Sequence, residues 1–234
     1  MGTSIKNSGE KTWLIQRKPR KKAKLINDIV NMEWDFFQKT QNVGGRADCQ
    51  DQPVTFGIMR RSQFRCWSED TLAQYRSDLL ADRETGFNPV TGKYAYMMQW
   101  THPDEFEQIC GSLPSVSAEQ KKLAEEIIAI NLPWEEECSR LYPNVRAGGR
   151  PIHSSEDNAC TTSFETYLRG ELYTYSEDTL ELLARDVRKA KKEGRNLAVT
   201  NLDFEAQEYG FASAEALEKR TSAMLAEASR VNKN

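Results

Sequence analysis

The sequence has no Cys-x-x-Cys pair, only two histidines (His102 and His153), and no run of the roughly 18 to 20 apolar residues that a membrane span needs. Its five cysteines, Cys49, Cys66, Cys110, Cys138 and Cys160, are odd in number and widely spaced. That argues against a disulfide framework and a structural zinc site, and reduced thiols are expected. The first 24 residues hold no apolar core of the kind a secretory signal carries, so a cytoplasmic chain without membrane contact is expected. A GxxxxGK(S/T) loop, a GxGxxG turn after a strand, HExxH and Glu-x-x-His are all missing. Nucleotide hydrolysis, dinucleotide redox and ferritin-type di-iron chemistry therefore lack their usual residues, and no metal or other cofactor is expected. Strand signals are nearly absent as well, because no window alternates apolar and polar residues with β-branched enrichment. The fold class expected is mainly α.

What the sequence does have is charge, unevenly placed. The net charge is −3, yet residues 1–24 hold Lys6, Lys11, Arg17, Lys18, Arg20, Lys21, Lys22 and Lys24 against Glu10 alone, which leaves the remaining 210 residues at −10. A basic, flexible arm on an acidic body can bind a nucleic-acid backbone by counterion release, with Trp13 available to stack on a base, or serve as a nuclear address. The plainer alternative is a solvated tail.

The chain also repeats itself. Trp67-Ser68-Glu69-Asp70-Thr71-Leu72 is matched by Tyr175-Ser176-Glu177-Asp178-Thr179-Leu180, and at the same offset of 108 Phe56 meets Phe164, Arg61 meets Arg169, Gly86 meets Gly194 and Asn88 meets Asn196. Upstream, Gly44-Gly45-Arg46 meets Gly148-Gly149-Arg150 at an offset of 104, and Glu33-Trp34-Asp35 meets Trp134-Glu135 near 100. This pattern predicts two tandem pseudo-symmetric helical repeats, 25–125 and 126–234, packed into one globular domain behind the arm of residues 1–24. The alternative is that Ser-Glu-Asp-Thr is simply a good helix start used twice.

Each unit reads as an amphipathic helix (25–41; 118–142, with Pro133 as a candidate break), a Gly-Gly-Arg loop, a polar segment, and a helix N-capped by Ser68 or Ser176 and ended by Gly86 or Gly194. Further helices are expected at 88–101, 103–110, 161–173, 202–209 and 213–231. A pseudo-twofold would bring equivalent loops together, and then Cys49 would face His153 with carboxylates on both sides. A thiol, an imidazole and acids in one cleft are ingredients for nucleophilic or acid/base chemistry. Glu33 beside Trp34 is a candidate general base, because burial against an aromatic raises a carboxyl pKa. Glu165 and Arg169, four apart, share a helix face.

The strings Glu33-Trp34 through Gly44-Gly45-Arg46-Ala47-Asp48-Cys49-Gln50-Asp51, Met59-Arg60-Arg61-Ser62-Gln63-Phe64, Arg150-Pro151-Ile152-His153-Ser154-Ser155-Glu156-Asp157 and Thr162-Ser163-Phe164-Glu165-Thr166-Tyr167-Leu168-Arg169-Gly170-Glu171 resemble an uncharacterised-domain family of bacterial and fungal proteins that includes fungal arginine-containing cyclodipeptide synthases. The resemblance covers about residues 30–200. It implies aminoacyl transfer from charged tRNA, arginyl-tRNA among the substrates, with closure of a diketopiperazine. Such an ester is already activated, which agrees with the missing phosphate loops.

Under this reading Cys49, His153, Glu156 and Glu33 are the candidate bases or nucleophiles. Arg46, Asp48, Asp51, Gln63, Arg150, Ser154, Ser155, Asp157, Glu165, Arg169 and Glu171 are the candidate substrate-binding groups, the acids among them suited to a guanidinium. Arg17, Lys18, Arg20, Lys21, Lys22, Lys24, Arg60, Arg61 and Arg65 are the candidate tRNA contacts. A monomer is expected, since an internal pseudo-dimer already supplies a symmetric interface. The alternatives are a lyase or transferase acting on a small amino-acid-like substrate, and a non-enzymatic ligand-binding protein.

Overall fold

A computed structural model describes residues 21–41 and 45–231. Among them are eleven α-helices and no strand: α1 (Lys21–Lys39), α2 (Pro53–Arg65), α3 (Glu69–Thr85), α4 (Pro89–Thr101), α5 (Pro103–Ile109), α6 (Ala118–Leu141), α7 (Pro143–Arg146), α8 (Phe164–Leu172), α9 (Glu177–Lys192), α10 (Leu197–Glu208) and α11 (Ala214–Val231). The mainly α expectation holds. No described helix is long and apolar enough to cross a membrane.

Side-chain caps fix where the helices begin. Ser68 accepts from the Thr71 amide and Ser176 from the Thr179 amide, as the sequence predicts, and Asn88 and Asn196 cap α4 and α10 in the same way. Gly86 and Gly194 end α3 and the α9 turn in the left-handed region, at φ 79° and 67°.

The helices interleave. α1 packs on α3 and α6 on α9, while α2 packs on α10, α4 packs on α8, and α3 touches α9. The main apolar core draws Ile29, Phe64, Leu72 and Leu79 from the first half of the chain and Ile127, Leu172, Leu180 and Leu183 from the second, and a smaller cluster forms around Cys138, Leu202 and Ala214. Burying each such side chain contributes roughly 1.5–3 kcal/mol.

Two hydrogen-bond sets recur at the offset of 108. The Asp186 carboxylate accepts from the Ser68 amide (2.8 Å) and Thr71 Oγ1 (2.6 Å), and Asp78 accepts from the Ser176 amide (3.2 Å) and Thr179 Oγ1 (2.7 Å). Asn88 donates to the Phe36 carbonyl and Asn196 to that of Trp134. These contacts align Phe36 with Trp134, an offset of 98 for the first helix rather than about 100.

Several boundaries differ from expectation. α1 already includes Lys21–Lys24, so those lysines belong to a helix rather than to an arm; Arg17, Lys18, Arg20 and Gly44 lie outside the described residues. α6 runs unbroken through Pro133, because continuation buries Trp134 with Ile127 and Ile130, which outweighs the hydrogen bond a proline removes. α8 starts at Phe164 with Ser163 as its cap, and α10 starts five residues before the expected 202. α2, read as a polar segment, is a helix whose inward face carries Arg60, Ser62 and Gln63, so its apolar stripe is masked.

Candidate functional site

Between α1, α2, α3 and α4, and closed by α8, lies a cavity of about 270 Å³. Its floor is a cluster of buried charge. Arg60 donates from Nε to Glu33 Oε2 (2.7 Å) and from Nη2 to Glu33 Oε1 (2.5 Å), and its Nη1 reaches Glu171 Oε1 (3.0 Å) and Gln63 Oε1 (2.6 Å). Tyr75 donates to Glu33 Oε1 and Tyr175 to Glu171 Oε1, both at 2.7 Å. Lys93 Nζ donates to the Tyr167 hydroxyl oxygen (2.6 Å) and sits 3.5 Å from Glu171 Oε2. Two carboxylates therefore face two cations, and each buried charge has a partner of opposite sign. An unpaired buried charge would cost several kcal/mol.

The same packing sets the proton affinities. Burial alone would raise the Glu171 carboxyl, but Arg60 and Lys93 outweigh it and hold Glu171 down at about 2. Burial works against the charge on Lys93, yet Tyr167 and Glu171 keep its ammonium above the usual lysine range. Tyr75 and Tyr175 are pushed well up, first by burial and then by the neighbouring carboxylates. At neutral pH Glu171 is therefore a carboxylate, Lys93 an ammonium and Arg60 a guanidinium, and Tyr75 and Tyr175 are neutral phenols.

A second cavity of about 560 Å³ lies on the α6, α8, α9 and α10 side. Met59, Arg150, Tyr167 and Glu171 line both cavities and form the wall between them. Arg150 lies over the Tyr167 ring, 4.8 Å from its centroid. In the second cavity Glu135 pairs with Arg146; burial raises the Glu135 carboxyl and Arg146 offsets part of that rise.

Of the expected catalytic groups, Glu33 and Cys49 line the first cavity, Glu33 at its floor and Cys49 as an exposed residue. His153 does not face Cys49. Its Nε2 pairs with Glu136 Oε1 at 3.0 Å, and it lines neither cavity. Glu156 is exposed in the 3-10 turn Ser154–Glu156 and lines neither cavity either. The paired-loop reading is corrected on this point: the first loop folds back on α1, and the second is anchored to α8.

Gln50 is the pin of the first loop. Its amide donates to the Phe37 and Thr40 carbonyls, and its Oε1 accepts from the Ala47 amide. Arg46 braces the loop through Asp51, Gln38 and the Gln50 carbonyl, so Arg46 and Asp51 hold each other rather than a ligand, and Asp48 is exposed. In the second loop Asp157 accepts from the Ser163 amide and Thr166 Oγ1, and Glu165 accepts from the Ser154 amide and Arg169; Ser155 is exposed. Arg169 also grips Glu125. Asp157 and Glu165 thus spend their carboxylates on structural contacts, which removes them as acceptors for a substrate guanidinium, and Ser154 and Arg169 are donors in the same contacts, whereas Gln63, Arg150 and Glu171 remain at the cavities.

Arg60, expected on a tRNA-facing surface, is buried between two glutamates. Arg61 pairs with Glu208, Arg65 stacks on Phe204 with its guanidinium carbon 3.7 Å from the centroid, and Lys22 donates to the Arg65 carbonyl. Lys21 and Lys24 are exposed.

The residues that sequence reasoning passed over are Tyr75, Lys93, Tyr94, Tyr167 and Tyr175. A signal for Lys93 existed: it stands at i+4 from Pro89 and i−4 from Met97, on a helix face that is otherwise buried. No group of three or more His, Cys, Asp or Glu with metal-binding geometry occurs among the described residues. No curated protein and no solved structure matches the chain. Residues 23–219 match the family described as protein of unknown function (DUF4125), and the chain belongs to that family.

Proposed function

We propose that this protein is an aminoacyl transferase that joins aminoacyl groups from charged tRNA into an arginine-containing cyclodipeptide. The observation that carries the reading is the first cavity: an amino-acid-sized space with fully paired charge at its floor, phenolic and ammonium donors on its wall, and a thiol at Cys49. Acyl transfer from an activated ester asks for donors at the carbonyl oxygen and a group that handles the amine proton. Lys93 and the Tyr167 O–H supply the donors. Cys49, within electrostatic reach of Tyr94 together with Arg150, is the candidate acceptor of a first aminoacyl group. The Cys49 thiol adds to the first ester carbon as the bond to the tRNA ribose oxygen breaks, and that oxygen takes up the thiol proton. The amine of the thioester-held aminoacyl group adds to the second ester carbon, again releasing a ribose oxygen that takes up the proton. The remaining amine then adds to the thioester carbon, closing the ring as the carbon–sulfur bond breaks and the sulfur regains its proton. Lys21, Lys24, Arg61 and Arg65 supply cations around one end of α1 for the RNA backbone.

A second reading, a transferase or lyase acting on a free amino-acid-like substrate, is favoured by the pairing of Arg61 with Glu208 and by the −10 outside residues 1–24. Mass spectrometry of medium from cells expressing the wild type, Cys49→Ala or Glu33→Gln separates the two. A new ion at the mass of arginine plus a second amino acid minus two waters, lost in the variants, supports the cyclodipeptide reading. Folded protein that makes no such ion and retains no tRNA would sink it.

A further inference from the structure

The two cavities are built from positions that correspond along the chain. At the offset of 108, Phe56, Pro89 and Val90 line the first cavity where Phe164, Leu197 and Ala198 line the second. At the offset of 98 that the helix contacts give for α1 and α6, Glu33 and Phe37 of the first correspond to Asn131 and Glu135 of the second. Met59 and Tyr167 also correspond, and each lines both cavities, which places the shared wall where a twofold axis relating the two halves would pass.

We propose that the second cavity is a second amino-acid-binding lobe, related to the first by an internal twofold axis, and that it takes an amino acid with a large apolar side chain. Chemistry at the corresponding positions sets that preference. Glu33, Arg60 and Tyr75 form the charged floor of the first lobe, and their counterparts Asn131, Leu168 and Leu183 put an amide and two leucines there instead. The second lobe is about twice as large, and Trp67, Val187 and Leu197 extend its apolar wall. Its two buried carboxylates are already taken, Glu135 by Arg146 and Glu171 by Arg60 and Lys93, so no unpaired charge is left for a cationic side chain. Two lobes meeting at Tyr167 and Arg150 would bring the backbone ends of two amino acids together, so this inference deepens the proposed function and rests on it for the reaction alone; the binding claim stands apart.

The test is titration calorimetry of the full chain with L-phenylalaninamide, which carries the α-amine and carbonyl of an aminoacyl ester but cannot transfer. Saturable binding to the wild type, weakened at least tenfold by Ala198→Trp and not by the corresponding Val90→Trp, is the expected result. Leu168→Phe, a smaller change in the same lobe, replaces Ala198→Trp if the latter lowers the thermal midpoint. No saturable binding, or binding that a folded lobe-filling variant leaves at wild-type affinity, overturns the assignment. Because no tRNA or turnover is involved, these outcomes are independent of whether cyclodipeptides form. Conversely, cells that make a cyclodipeptide whose second amino acid is unchanged by Ala198→Trp would leave the proposed function standing and remove the lobe.

Discussion

Arg60 holds Glu33 with two parallel hydrogen bonds, of 2.7 and 2.5 Å, in a site where both side chains are almost wholly out of water. The same guanidinium reaches Glu171 on α8, so a single side chain on α2 ties together α1 and α8, which come from opposite halves of the chain. Bidentate geometry is what allows one cation to satisfy two buried acids.

Removing that cation leaves Glu33 with the Tyr75 hydroxyl and Glu171 with Lys93 as its one cation. Arg60→Met is expected to cost about 3–5 kcal/mol, read as a lower denaturant midpoint, because a buried charge without its partner is far more costly than the pair is favourable. Arg61→Met, one residue on, breaks only the partly exposed pair with Glu208 and is expected to cost no more than about 1 kcal/mol. Equal losses for the two variants would refute the buried-network account.

The acids of this protein give opposite pH signatures. Glu171 is held at about 2, below the ordinary carboxyl range, so its contribution to stability is complete above about pH 4.5 and is lost as pH falls toward 2. Glu205, pushed up to about 7 chiefly by burial, behaves the other way and costs stability as pH rises from about 4.5 through 7. Thermal melts of Glu205→Gln should therefore match wild type near pH 4.5 and exceed it at pH 8. The deficit of Glu171→Gln should shrink as the solution is acidified. Variant curves that run parallel to wild type across this range would count against both assignments.

Close approach of α4 and α8 depends on Gly170. A Cβ there would lie 2.7 Å from Met97 Cγ and 2.8 Å from the Lys93 carbonyl oxygen. Gly170→Ala is expected to cost about 1–3 kcal/mol by forcing the helices apart, and to loosen the Lys93 contacts with Tyr167 and Glu171 that the same approach permits. Adding Met97→Ala should recover only part of the loss, since the backbone carbonyl cannot be trimmed. Full recovery, measured by denaturant unfolding, would show that the side chain alone mattered.

Helix content was legible because it is written locally. Ser68 and Ser176 open helices through their own hydroxyls, Gly86 and Gly194 close them through backbone freedom, and the absence of alternation rules out strands without reference to anything distant. α2 was not legible, since its inward face carries Arg60 and Gln63, and a polar residue turned inward looks the same in sequence as one turned out. Glu33 could be singled out by its place beside Trp34, although its partner, 27 residues away, could not.

The same division runs through the site. By itself the sequence determined an all-helical chain, a recurring Ser-Glu-Asp-Thr helix start, and a set of acids, arginines and thiols without metal-binding or phosphate-binding patterns. Tertiary structure decided which of these meet. It sent His153 to Glu136 instead of to Cys49, locked Arg46 and Asp157 into loop bracing, and drew Lys93, Tyr167 and Glu171 to one wall. Those pairings depend on which charged groups become buried together, and burial follows from the packing of helices far apart in the chain, a quantity that no local window of residues contains.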